Sequence, residues 1–276
     1  MAKEDSTDLT YYTGTRPHPN IVVGVSEGGE LVTLKPGNVF VHGHLGAGTA
    51  TFVQSILASA LMWNGPRDLR IWVANDYYAG DWLIPEWCRI TDDNSIVVDY
   101  TIEEKSGGYE DIINSIDRFY EKAVIWRTNL RNRVKLEGDA NLSQHESDML
   151  NAECVLMVNM FNLHTSAERS IFNSLMKVFK AQEEDTSIRV IIVGQDWSWS
   201  PDIVFKYFST LICTPCKEEY SKLLLRNNCA SSTKYKAGCI WIRQVGDIEC
   251  RFAQVVYRPD TFLRKLIKAF HIKGKK

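Results

Sequence analysis

Apolar residues arrive along this chain in two rhythms that alternate: short continuous runs and stripes at helical spacing. The runs lie at 38–42, 69–74, 154–158, 189–193 and 210–213. Short apolar runs bounded by turn residues predict strands buried on both faces. The stripes are Phe52, Val53, Ile56, Leu57, Ala60 and Leu61, then Ile171, Phe172, Leu175, Met176 and Phe179. Between them, Ile112, Ile116, Phe119, Ala123, Trp126, Leu130 and Val134 step three or four residues at a time and predict one long helix over 109–134. Its polar side is expected to carry Arg118, Lys122, Arg127, Arg131 and Arg133, with solvated ion pairs to Asp111, Asp117 and Glu121.

Other segments complete the outline. Residues 21–25 and 31–34 flank Ser26-Glu27-Gly28-Gly29-Glu30 and read as a hairpin. Residues 75–108 are rich in turns, with strand candidates at 89–90 and 95–98, and 137–151 read as an exposed polar loop. A short helix near 217–227 precedes a strand pair at 238–243 and 249–257, and Asp260 caps a final helix to Phe270. Strands alternating with helices predict a mostly parallel central sheet flanked by helices, a three-layer α/β fold. The chain divides into a linker (1–19), one domain (20–258) and a C-terminal helix with a basic tail (259–276).

Composition narrows this picture. Of 276 residues, 45% are hydrophobic and 24% charged, as in ordinary globular domains. A net charge of −2 argues against a nucleic-acid partner spread over the whole surface. No apolar run approaches the roughly 20 residues needed to span a bilayer, so the chain by itself is expected to be soluble. Seven cysteines, at 88, 154, 213, 216, 229, 239 and 250, are odd in number, and several sit in apolar runs. That suits buried thiols in the reducing cytoplasm. Cys213-Thr-Pro-Cys216 has metal or redox spacing, but no second such pair or histidine pair completes it, so no metal is expected.

The candidate chemistry is at Gly43-His44-Leu45-Gly46-Ala47-Gly48-Thr49-Ala50-Thr51. An apolar strand, a glycine-rich turn and a helix form the setting in which backbone N–H groups cradle phosphate. A working loop then needs Lys where Thr49 stands, and Ser or Thr where Ala50 stands. The run 154–158 followed by Asn159 and Met160 has the form of a Walker B strand, which in an active enzyme ends in Asp and Glu. Asn159 brings no charge, and Met160 cannot act as a base. Gln195 ends the next strand, in the place of a γ-phosphate sensor.

Taken in order, these landmarks resemble the FtsK/SpoIIIE family of P-loop motor ATPases. The hairpin Val23-Gly24-Val25 to Gly29-Glu30-Leu31-Val32, the strand ending Trp72-Val73-Ala74-Asn75-Asp76, and the segments 223–228 and 236–239 add to the match. The resemblance covers residues 20–258. It implies a three-layer, RecA/FtsK-like P-loop NTPase fold. The departures at the nucleotide positions are most similar to the degenerate C-terminal ATPase domain of the type VII secretion coupling proteins EssC/EccC. That resemblance implies no catalytic residues, no cofactor, and weak or absent ATP binding. It implies WXG-type helical-hairpin secretion substrates and adjacent ATPase-like domains as partners, at the cytoplasmic side of a membrane-anchored protein. The alternative is an FtsK/HerA-like DNA-translocase domain whose nucleotide chemistry comes from a neighbouring protomer, with the arginine face of the long helix on DNA.

Eight tryptophans add candidates. Trp63, Trp72, Trp126 and Trp241 fall at core-like positions. Trp82, Trp87, Trp197 and Trp199 lie outside regular elements, where large aromatics either anchor partners or plug loops onto a domain.

Overall fold

The computed structural model describes residues 21–44, 46–64, 68–74, 96–97, 109–160, 165–195, 199–231 and 238–255. Its strands are β1 (Val22–Val25), β2 (Leu31–Thr33), β3 (Val39–His42), β4 (Leu69–Ala74) and β5 (Ile96–Val97). They continue with β6 (Glu153–Met160), β7 (Ile188–Gly194), β8 (Thr210–Cys213), β9 (Cys239–Gln244) and β10 (Arg251–Gln254). All join one sheet in the order β2-β1-β10-β9-β8-β3-β7-β6-β4-β5. The six strands from β8 to β5 are parallel. β9, β10, β1 and β2 extend that sheet in antiparallel fashion.

Burial on both faces explains why the parallel strands read as unbroken apolar runs: every residue of β3, β4, β6 and β7 is buried. Period-two alternation still sorts them between two cores. Phe40, Trp72, Leu156, Val158, Ile192 and Leu211 face one side, with Ile112, Ile116, Phe119, Leu175 and Leu224 packed against them. Those covering residues come from α2 (Tyr109–Phe119), α5 (Thr165–Gln182) and α7 (Glu218–Leu225). Val39, Val41, Ile71, Val73, Val155 and Ile191 face the other side, against Phe52, Val53, Ile56 and Ala60 of α1 (Thr49–Trp63). The result is the expected layering of helix, mostly parallel sheet and helix.

The long helix departs from its prediction in an instructive way. It is α2, a π-helical turn (Tyr120–Ile125) and α3 (Trp126–Glu137) in direct succession. A π turn adds residues to the winding and so shifts the phase of every later position. Beyond it the buried positions are Arg127 and Leu130, and Trp126 is only half-buried against His145. Arg127 is therefore not on the solvated face: it is 1% exposed. Its guanidinium donates to Ser187 Oγ at 2.7 Å and Leu150 O at 3.2 Å, and lies 3.8 Å from Asp185. Arg131 pairs with Asp185 at 2.7 Å, and Asp117 pairs with Lys177 of α5.

The loop expected at 137–151 is also corrected, because it contains α4 (Gln144–Asn151). Ser143 and Glu146 form a reciprocal capping box at its start, and Met149 is its buried anchor. A further short helix, α6 (Pro201–Tyr207), is capped by Ser200 with Pro201 in its first turn. Among the described residues no helix is long and apolar enough to cross a membrane.

Candidate nucleotide-loop site

Parallel pairing brings the sequence-marked positions to one row. His42, the last residue of β3, is in register with Gly194 of β7 and with Cys213 of β8. Gly194 is in turn in register with Met160, the last residue of β6. The turn that begins at Gly43, the pair Asn159 and Met160, and Gln195 thus lie together at the C-terminal ends of three adjacent parallel strands. Open α/β sheets place ligand sites at these ends, where the chain passes to opposite sides.

The turn is shaped by its glycines. Gly46 and Gly48 have φ of 81° and 85°, in the left-handed region that favours glycine. Gly48 is the N-cap of α1, with no side-chain cap and no acidic residue in the first turn. Ala47 N donates to His44 O at 3.0 Å, closing the turn. Leu45, and the side chain of Ala50, lie outside the described residues.

Two threonines meet beside this turn. Thr49 is 3% exposed, and its Oγ1 lies 2.9 Å from Thr214 Oγ1, a buried hydroxyl pair. Thr214 follows β8, is itself fully buried, and donates its N–H to His42 O at 2.9 Å. Gly43 lies against this pair: a Cβ added there would stand 1.9 Å from Thr214 Oγ1 and 2.3 Å from Thr49 Oγ1. Below it, the buried His42 ring packs on Tyr220 of α7 with centroids 4.2 Å apart. Asn159 and Met160 are buried at 1% and 3% exposure. Gln195 is half-buried, and its Oε1 has no hydrogen-bond partner among the described residues.

Thr214 and Tyr220 escaped the sequence reading. Little local marks Thr214, whose partner lies 165 residues away. The polar Thr-Pro step after an apolar strand was the one available signal.

The tryptophan candidates divide. Trp82, Trp87 and Trp197 lie outside the described residues. Trp199, expected as a partner contact or a loop plug, is 7% exposed. It packs edge-on against Phe172 at 5.0 Å and lies beside Phe40 and Phe208. Trp199 is therefore a core residue and is removed from the partner-contact candidates. Large aromatics packed in this way bury 150–250 Å² each, roughly.

Strand, glycine turn and helix at the C-terminal edge of this sheet give the chain the fold of a P-loop NTPase domain. Solved structures share that fold. The cytoplasmic domain of the Thermomonospora curvata type VII secretion ATPase EccC superposes with a TM-score of 0.64 at 12% identity, over 95% of this chain and 32% of that one. The pCW3 conjugation coupling protein TcpA, in its monomer form with ATPγS, gives 0.60 at 10% identity, over 92% of this chain and 71% of that one. EssC (ATPases 2 and 3) from Geobacillus thermodenitrificans gives 0.56 at 15% identity, over 93% and 49%. This chain thus spans less than half the length of the EccC and EssC structures. No family model matches the sequence, and no curated protein matches it.

Proposed function

We propose that this chain is a catalytically inactive ATPase-like domain of a type VII secretion coupling protein, and that it acts by holding partners. The observation that carries the reading is the buried hydroxyl pair of Thr49 and Thr214 in the turn where an active loop would present its lysine. A lysine ammonium contributes a charge-assisted contact of roughly 1.5–3 kcal/mol to a bound phosphate, and a hydroxyl committed to a buried neighbour does not replace it. Asn159 and Met160 then supply neither a carboxylate for the Mg²⁺ shell nor a base for water. These residues do not fit a Mg²⁺–nucleotide, and no hydrolytic step runs through them.

The likeness to EccC and EssC folds supports adjacent ATPase-like domains as one class of partner, since those structures contain more than one. A second structure of the Thermomonospora protein is a complex with a signal sequence peptide. That supports a secretion signal segment as the other class of partner; on this reading it is carried by a helical-hairpin substrate.

The DNA-translocase alternative loses support from the long helix. Arg127 is buried, Arg131 is engaged with Asp185, and Arg133 is engaged with Glu146. Three cations of the expected DNA-facing stripe are therefore committed within the domain.

Titration of a helical-hairpin substrate against the chain, with and without ATP, tests the reading. Saturable binding that ATP leaves unchanged supports it. Absence of substrate binding, together with duplex-DNA binding that weakens steeply with salt, overturns it.

A further inference from the structure

Four of the cysteines come together on one side of the sheet, beneath α7. Cys213 ends β8, Cys216 follows it, Cys229 opens a 3-10 turn (Cys229–Ser231), and Cys250 precedes β10. All four belong to, or pack against, the same apolar cluster. Among the described residues, however, no group of three or more His, Cys, Asp or Glu is arranged to hold a metal ion. The four instead resolve into two pairs of different character.

Cys213 and Cys216 are 0% and 7% exposed. Burial holds the Cys213 thiol well above its ordinary range, while the contact from Cys213 lowers Cys216; what sets this pair apart is that both thiols are shielded from solvent. Cys229 and Cys250 are half-buried, and their sulfur atoms are 3.3 Å apart. Asn227 organises both: its Nδ2 donates to Cys250 Sγ at 3.2 Å, and its Oδ1 accepts from Cys229 N at 3.1 Å. Ser221 fixes this turn in place, donating from Oγ to Asn227 O at 2.8 Å and accepting from Ala230 N at 3.1 Å.

We propose that Cys229 and Cys250 are a reversible redox pair, closing to a disulfide that ties the β9–β10 turn to the segment after α7. A bonded pair needs about 2.05 Å between sulfurs, and these two already stand 3.3 Å apart. The contact with Cys229 and the Asn227 Nδ2 donor, which reaches Cys250 Sγ and not Cys229 Sγ, together lower Cys250 to about 6, while the sulfur contact raises Cys229. Cys250 is thus the attacking thiolate and Cys229 the resolving thiol.

With hydrogen peroxide as oxidant, the Cys250 thiolate attacks one peroxide oxygen. The O–O bond breaks, a sulfenic acid forms, and the departing hydroxide takes a proton to leave as water. Cys229, giving up its proton, then attacks the Cys250 sulfur; the S–O bond breaks and the hydroxyl leaves with that proton as a second water. Two thiols and one peroxide become one disulfide and two waters, with both sulfurs oxidised and the peroxide reduced. A dithiol reductant reverses the bond by exchange.

The test treats the full chain with limiting hydrogen peroxide, blocks the remaining thiols, and maps peptides by mass spectrometry. The proposal expects a Cys229–Cys250 cross-linked peptide that dithiothreitol releases, with Cys213 and Cys216 still blocked as free thiols. In Cys229→Ser, dimedone should trap a sulfenic acid at Cys250. In Cys250→Ser, oxidation of Cys229 should fall at least tenfold. Iodoacetamide should label Cys250 before Cys229 in the reduced wild-type chain, a second readout that does not depend on the bond forming. Peroxide that leaves both thiols free in the folded protein overturns the proposal. So does protection of all four cysteines by stoichiometric zinc.

Discussion

Thr49 and Thr214 share a buried hydrogen bond of 2.9 Å across 165 residues of chain, and Gly43 is packed against both hydroxyls. The glycine that opens the turn is therefore held in place by what fills the turn. Gly43→Ala should lower stability by about 1–3 kcal/mol, the usual cost of overpacking. In the background Thr49→Ala/Thr214→Ala most of that penalty should disappear, because the two closest atoms are gone. Urea unfolding of the four combinations measures the coupling. Additive penalties would place the strain elsewhere.

Restoring the sequence of an active loop should not restore its chemistry. Thr49→Lys with Ala50→Ser still leaves Asn159 and Met160 buried at the end of β6. The new lysine also enters a site with 3% exposure, displacing a satisfied hydroxyl. We expect no ATP turnover from the double variant and a loss of about 1–3 kcal/mol in stability. A phosphate-release assay beside a denaturant melt checks both, and measurable turnover contradicts the account.

The cations of the long helix should separate by burial. Arg127→Met leaves Ser187 Oγ and Leu150 O without their donor and Asp185 without one of its two cations. Leaving buried acceptors without their donor costs roughly 1–3 kcal/mol each. Arg133 is 44% exposed in its pair with Glu146, so Arg133→Ala should cost less than about 1 kcal/mol. Equal effects on the chemical melt would mean that Arg127 is not the structural member of the set.

At low pH the start of α4 is the element to watch. The backbone hydrogen bond from Ser143, then the side-chain bonds from Arg133 and Ser143, lower Glu146 from 4.5 to about 2. The folded value lies below the unfolded one, so the contribution is complete above 4.5 and fades as pH falls towards 2. Glu146→Gln should therefore flatten that part of the acid-side decline in stability. Denaturant melts at stepped pH would show it; identical slopes in both proteins would contradict it.

How far the sequence reached follows from how local each signal is. The buried strands of the parallel sheet were legible because burial on both faces leaves unbroken apolar runs. The loop, Asn159, Met160 and Gln195 were legible because each is fixed by its distance from a strand end, and register then brings them into one row. Arg127 was misplaced because a π turn resets the helical phase, and periodicity extrapolates across it. α4 was read as loop because its polar surface outweighed Met149, although Ser143 and Glu146 stand at capping-box spacing. Thr214 and the meeting of Cys229 with Cys250 depend on tertiary contact alone.

The central claim is that the nucleotide loop survives as architecture without catalysis. Steady-state hydrolysis of Mg²⁺–ATP by the wild-type chain, measured beside Gly48→Ala, tests it most directly. Gly48 holds φ at 85°, so alanine there strains the turn itself. The account predicts background turnover in both proteins. Turnover well above background in the wild type, lost in Gly48→Ala, would contradict it.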